Sequence, residues 1–311
     1  MKRAVVLGGG GPVGIAWQAG LIVGLSTAGV DLSQADLVVG TSAGSVVGLL
    51  LSSGADLTKA IRFLTEQGSP GNGSPEQGSP GQGSPEPGGM SQAFDDALLS
   101  AAGAAAVAES AGDEEAASRA RAGLGQRALS ATTMSEAEWL SRFDLFSETE
   151  WPNAFRCCAV DADDGTFRVW GPDDSVPPRE AVASSCAVPL LYPPVNLAGR
   201  RWIDGGVRDV LNADVAGGAD VAVVVSCTLL ELPWQLPVAL LGDILSATRR
   251  RIEVLASRAE DLVTIVPGPR MLEVSEWGLA LMDFARTGEA YDAGLEQAGL
   301  EADRLQAHWA R

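Results

Sequence analysis

The sequence predicts an α/β fold, and three observations carry that expectation. Short apolar, β-rich runs alternate with longer helix-like segments through residues 3–67. Glycine-rich turns sit where a strand would give way to a helix, at LGGGGPVG (7–14) and GTSAG (40–44). Later runs such as DVAVVVSCTL (220–229) are continuous and β-branched, the pattern of a strand buried on both faces.

In chain order, AVV leads through the first glycine loop into the helix IAWQAGLIVGL. DLVV leads through GTSAG into a second apolar helix, SVVGLLLSSG, with more helix to about residue 67. Residues 68–89 form a ten-residue tandem, GSPGNGSPEQ then GSPGQGSPEP, with no apolar side chain. Such a stretch cannot repay its ordering entropy, so 68–90 reads as a disordered insertion in a single domain spanning 1–311. Residues 91–147 are Ala-rich and helical. AFRCCAV (154–160) and TFRVWG (166–171) are strands joined by the turn DADDG. REAVASSCAVPLLYPP (179–194) is a helix ending in a Pro-rich loop, and RRWIDGG (200–206) is a short strand entering a tight turn. LLELPWQLPVALLG (229–242), with Trp234, reads as a packed loop or, alternatively, as an apolar rim for a lipid surface. A long helix follows, its Arg249–Arg250–Arg251 run expected on a solvated face. DLVTIVP (261–267) is the last strand, and two helices come after it.

The first glycine loop has two readings. Gly9, Gly11 and Gly14 fit the dinucleotide fingerprint G-x-G-x-x-G. That fingerprint also needs an acidic residue at the end of the second strand. Asp36 stands at the wrong end, and the strand runs into Gly40-Thr41-Ser42-Ala43-Gly44 instead. This G-x-S-x-G is weak as a bare pentapeptide, but between a strand and a helix it reads as a nucleophile elbow. Ser42 is then the expected nucleophile, and Gly40 and Gly44 avoid clashes across the turn.

A nucleophilic serine needs a base and donors for an oxyanion. The only histidine is His308, in the last stretch of the chain, a poor place to hold a catalytic base. The only lysines are Lys2 and Lys59. A carboxylate remains, and Asp204 is the best placed. It ends a strand, and Gly205 and Gly206 after it permit close approach to another loop. Taken alone, an ordinary Asp-Gly turn explains Asp204 equally well.

A net charge of −18 argues against nucleic-acid partners and against electrostatic anchoring to anionic membranes. Cys157, Cys158, Cys186 and Cys227 lack C-x-x-C spacing and a neighbouring histidine, so no metal is expected. They read as buried thiols in a reducing compartment. The apolar start is broken by glycines, and no uninterrupted apolar run of membrane-spanning length occurs. The expectation is a soluble, cytoplasmic chain with no cofactor and, at most, a transient peripheral contact with a membrane.

GGGGPVG, GTSAGS, ASSCAVPLLYPPV and DGGV, in this order over residues 5–207, resemble the patatin-like phospholipases. The resemblance implies a three-layer α/β/α sandwich with a mostly parallel central sheet. It implies a Ser42–Asp204 dyad, and hydrolysis of lipid acyl esters through an acyl-enzyme. It also implies an oxyanion hole in the glycine loop. Pro12 has no N–H, so the donors would be Gly9, Gly10 or Gly11, with Ala43. Two features depart from the family pattern. Val13 stands where an Arg or Lys is usual, which Arg200 or Arg201 would have to replace. The insertion precedes 91–147, which becomes a candidate cap. Two alternatives stay open, a small-ester carboxylesterase and a non-catalytic lipid-binding member of the fold.

Overall fold

A computed structural model describes residues 1–58, 64, 92–231 and 239–309. The 68–90 insertion and Trp234 lie outside the described residues. The strands are β1 (Arg3–Leu7), β2 (Leu37–Gly40), β3 (Phe155–Asp161), β4 (Phe167–Trp170), β5 (Val195–Leu197), β6 (Arg200–Asp204), β7 (Val221–Val225) and β8 (Asp261–Ile265). The α-helices are α1 (Gly11–Thr27), α2 (Ala43–Ser52), α3 (Gln92–Ser110), α4 (Glu114–Ser130), α5 (Glu136–Ser141), α6 (Pro178–Ser185), α7 (Ala239–Ala256), α8 (Pro269–Val274) and α9 (Thr287–Trp309).

Eight strands make one sheet, ordered β5-β6-β3-β2-β1-β7-β8, with β4 also on β3. The five from β3 to β8 along this path are parallel. Apolar throughout except for Arg3, β1 and β7 pair within the sheet, as strands buried on both faces must. Successive side chains along β1 feed opposite faces. Val5 and Leu7 join a core with α1, α2, α6 and α9, while Ala4 and Val6 join one with α7 and residues 211–219. Leu124 and Ala128 of α4 cover Val160 and Ile203. Helices therefore lie on both faces of a mostly parallel sheet, the three-layer α/β/α architecture expected.

The α1 and α9 helices touch backbone to backbone. A Cβ at Gly20 would collide with the Tyr291 carbonyl, and one at Gly294 with the Trp17 carbonyl. All four cysteines are buried and free, and Cys157 and Cys158 point into opposite layers. Among the described residues no helix is long and apolar enough to cross a membrane.

The arginine run on α7 differs from expectation. Arg251 is buried, paired with Glu109 and with Asp209 at 3.2 Å. Arg249 donates to the Leu230 carbonyl at 2.9 Å, and Arg250 bonds Ser110. The acceptors come from α3, from Asp209 after β6 and from the 226–231 loop, tertiary neighbours that helical spacing cannot reveal. Within 91–147, α3 packs on α4 and α7, whereas residues 139–146 reach the C-terminal edge of the sheet, where the candidate site lies.

Candidate active site

The site is built by strands that meet end to end. Along β3, β4 occupies one edge. The other edge is shared, β2 taking Phe155–Cys157 and β6 taking Ala159–Asp161. The β2 strand runs parallel to β3 and β6 antiparallel, so their C-terminal ends converge. Gly40 pairs with Cys157 and Asp204 with Ala159, two residues farther along. The turn carrying Ser42 and the turn carrying Asp204 therefore confront each other.

Ser42 sits at φ 51° and ψ −120°, a conformation L-residues rarely adopt. The turn is forced by packing, since a Cβ at Gly44 would strike the Leu7 carbonyl. The Ser42 N–H donates to Ser185 Oγ at 3.0 Å, and its carbonyl accepts from Ser45 Oγ at 2.7 Å. Both backbone groups are thus held, and the hydroxyl is left for chemistry.

Asp204 is 4% exposed. Burial pushes its carboxyl up to about 7, against the Ser42 hydroxyl and the Gly206 N–H, which both favour the charged form. Oδ1 accepts from the Gly206 N–H at 2.7 Å. Oδ2 is buried without a well-directed hydrogen bond among the described residues, so the Ser42 contact is favourable but not fully formed. Hydrogen bonds of this kind are often long or poorly aligned in sites without a bound ligand.

The glycine loop lies against the elbow: a Cβ at Gly9 would stand 3.4 Å from Ser42 Cβ. The Gly9 N–H is committed to the Val210 carbonyl at 2.8 Å, so Gly9 drops out as a free donor. The N–H groups of Gly10, Gly11 and Ala43 meet no acceptor among the described residues. Gly11 and Ala43 open α1 and α2, so two helix N-termini direct partial positive charge toward the Ser42 side chain.

Asn212 is fully buried, and sequence reasoning missed it. Its Nδ2 lies 3.1 Å from Thr41 Oγ1, 3.2 Å from the Gly205 carbonyl and 2.7 Å from the Asp209 carbonyl. It thereby ties the residue before Ser42 to the residue after Asp204. Ser185 lies within ASSCAVPLLYPPV, but no pattern marks its hydroxyl. No motif announces Asn212.

Over Ser42 lies an apolar pocket of about 110 Å³. Pro12 and Ile15 of α1, Val46 of α2 and Val188 form its inner walls, with Met282 and Phe284 at one side. Trp139, Phe143 and Phe146 form the opposite wall, where Trp139 stacks on Tyr192 at 3.9 Å and meets Phe143 edge-on. Arg142 is the one cationic side chain lining it among the described residues. The Cys186 thiol, also on the wall, is pushed up by burial and stays protonated.

Other candidates lie elsewhere. Val13 is buried and its N–H donates to the Leu281 carbonyl at 3.2 Å. Arg200 and Arg201 begin β6, held by Asp161, Asp163 and Asp164, and do not line the pocket, so neither replaces the missing cation. His308 lies 3.0 Å from Asp261 at the start of β8, the opposite end of the sheet. Among the described residues no cluster of His, Cys, Asp or Glu could hold a metal ion.

A serine on a strand-to-helix elbow, facing a buried carboxylate and free N–H groups on an α/β sheet, has the layout of an acyl hydrolase. The family model of the patatin-like phospholipases matches residues 5–216, and the chain belongs to that family of lipid acyl hydrolases. No curated protein matches the sequence. Among solved structures, VipD from Legionella pneumophila is similar at a TM-score of 0.36 and 14% identity, over 94% of this chain and 67% of that chain.

Proposed function

We propose that this chain is a serine hydrolase of lipid acyl esters, of phospholipase or lysophospholipase type, acting through Ser42 and Asp204. The observation that carries the reading is the buried Asp204 carboxylate, without a cationic partner among the described residues, beside a strained elbow serine at the floor of an apolar pocket.

Asp204 takes the Ser42 proton as Oγ attacks the ester carbonyl. A carboxylate is ordinarily a weak base, and burial raises its basicity toward the operating pH. The N–H groups of Gly10, Gly11 and Ala43 receive the developing oxyanion. The alcohol or lysolipid leaves with the proton, and water activated by Asp204 releases the fatty acid. A pocket of about 110 Å³ is small beside the roughly 300–1,000 Å³ of common ligand sites. It holds a short stretch of acyl chain, and Arg142 offers one positive charge to a phosphate-bearing headgroup.

Intact-mass analysis after fluorophosphonate treatment tests this. The wild type should gain one adduct and Ser42→Ala none, and lipid esters should compete with labelling. A folded wild type that takes no adduct would refute the reading and favour a lipid-binding, non-catalytic member of the family.

A further inference from the structure

The segment from Ser275 to Asp283, between α8 and α9, presents apolar side chains to solvent. Trp277 is 64% exposed and Leu279 is 82% exposed. The backbone is left-handed at Glu276 (φ 49°) and at Trp277 (φ 60°), a costly conformation for a bulky aromatic residue. The loop is braced in this form. Arg286 donates to the Val274 carbonyl at 2.9 Å and pairs with Asp283 at 3.0 Å and with Glu276. Gly278 and Ala280 both donate to the Ser275 carbonyl, at 3.0 and 2.8 Å. Bracing a strained tip in order to expose a tryptophan serves no purpose in folding.

The base of this loop belongs to the candidate site. The Leu281 carbonyl accepts from Val13 and abuts Gly11, where a Cβ would stand 2.5 Å from it. Met282 and Phe284 line the pocket. Leu145, which also lines the pocket, is 45% exposed. Exposed apolar side chains thus belong to two segments that both form the pocket wall.

We propose that Trp277 and Leu279, with Leu145, form an interfacial surface that seats the protein on a zwitterionic lipid bilayer with the pocket facing it. This rests on the lipid-hydrolase reading and names the partner of that same site. Tryptophan favours the headgroup level and leucine the acyl boundary. Glu273, Glu276 and Asp283 flank the tip with Arg286 as counter-charge, and the chain carries −18, so an anionic surface would repel it. The short pocket fits the same geometry, because the rest of a long acyl chain can stay in the bilayer.

The test is co-sedimentation of the full chain with phosphatidylcholine vesicles. The wild type should bind, less so when phosphatidylserine is added. Trp277→Ser/Leu279→Ser should lose about ten-fold or more in partitioning. It should keep turnover of a dispersed short-chain ester while losing hydrolysis of vesicle lipid. Leu279→Asp, at a position too exposed to disturb packing, should also abolish binding. Trp277→Gly should lose binding yet gain thermal stability, because glycine relieves the left-handed strain; a merely structural tryptophan would do the opposite. Wild-type binding that these variants leave intact, or a wild type that turns over the dispersed ester without binding vesicles, overturns the surface. Vesicle binding without hydrolysis of either ester overturns the hydrolase reading and upholds the surface.

Discussion

Asp204 and Asp209 are buried almost equally, 4% and 3% exposed, and stand five residues apart on the same connection. Their surroundings are opposite. Asp209 accepts from the Leu211 and Asn212 N–H groups at 2.9 and 2.7 Å, from Thr248 at 2.7 Å and from Arg251 at 3.2 Å. Asp204 has one N–H and a serine hydroxyl, and no cation among the described residues. The saturated carboxylate braces the fold. The starved one is kept basic, and the fold tolerates its cost. Burial alone therefore does not separate structure from chemistry, but the count of partners does.

The largest effect expected from this contrast is on turnover. Asp204→Asn should lower kcat by about 10²–10⁴-fold, read on the fluorophosphonate-reactive enzyme with a lipid ester. The same variant should be more thermostable above pH 7. The Asp204 pKa is raised from 3.8 to about 7, so the folded state holds the proton more tightly than the unfolded one. Its stability contribution is full below pH 4 and is lost as pH rises through about 7. Asparagine escapes that loss, worth on the order of a few kcal/mol. A thermal-shift series at pH 4 and pH 8 should show the gain only at the higher pH. Asp209→Asn should do the reverse, costing about 1–3 kcal/mol by weakening the acceptor shared by the Leu211 and Asn212 N–H groups and Thr248, while Arg251 keeps Glu109, measured by denaturant unfolding. If both variants behaved alike, the contrast would fail.

Asn212→Ala comes next, since Asn212 hydrogen-bonds the turns that carry Ser42 and Asp204. It should cost about 1–3 kcal/mol in stability. It should lower kcat with little change in KM, because it touches no substrate. For the wild type, kcat/KM should climb with pH and level off above about 7, following ionisation of Asp204. The smallest effect belongs to Arg142→Gln, a few-fold rise in KM for a phosphate-bearing lipid and none for a neutral ester.

Much of this was legible in the sequence because glycine and periodicity report local geometry. Gly40, Gly44, Gly205 and Gly206 mark turns whose tightness is local, and the alternation of apolar runs marks the layers. Partners distant in the chain were not legible. Ser185 meets the Ser42 N–H from 143 residues away, and Asn212 reaches Thr41 from 171. Committing the Gly9 N–H required the Val210 carbonyl, also remote. The β5 strand was missed because its hairpin turns on Ala198 and Gly199, both at positive φ, without the Asn-Gly signature of such turns. The left-handed turn that exposes Trp277, in a region where only two helices were expected, carries no sequence signature.

The shared edge of β3 acts as a ruler. The separation of the two facing turns is set by where β2 stops and where β6 stops along one strand, at Cys157 and Ala159. A single residue inserted into β6 cannot be absorbed, because a shift of one along a pleated strand turns every side chain to the other layer. The carboxylate would then point away from the serine in a protein whose core was otherwise intact. Under the proposed mechanism hydrolysis is thus a readout of strand registration, and inserting single residues through 200–204 would map which pairings the chain can slip and which it must keep.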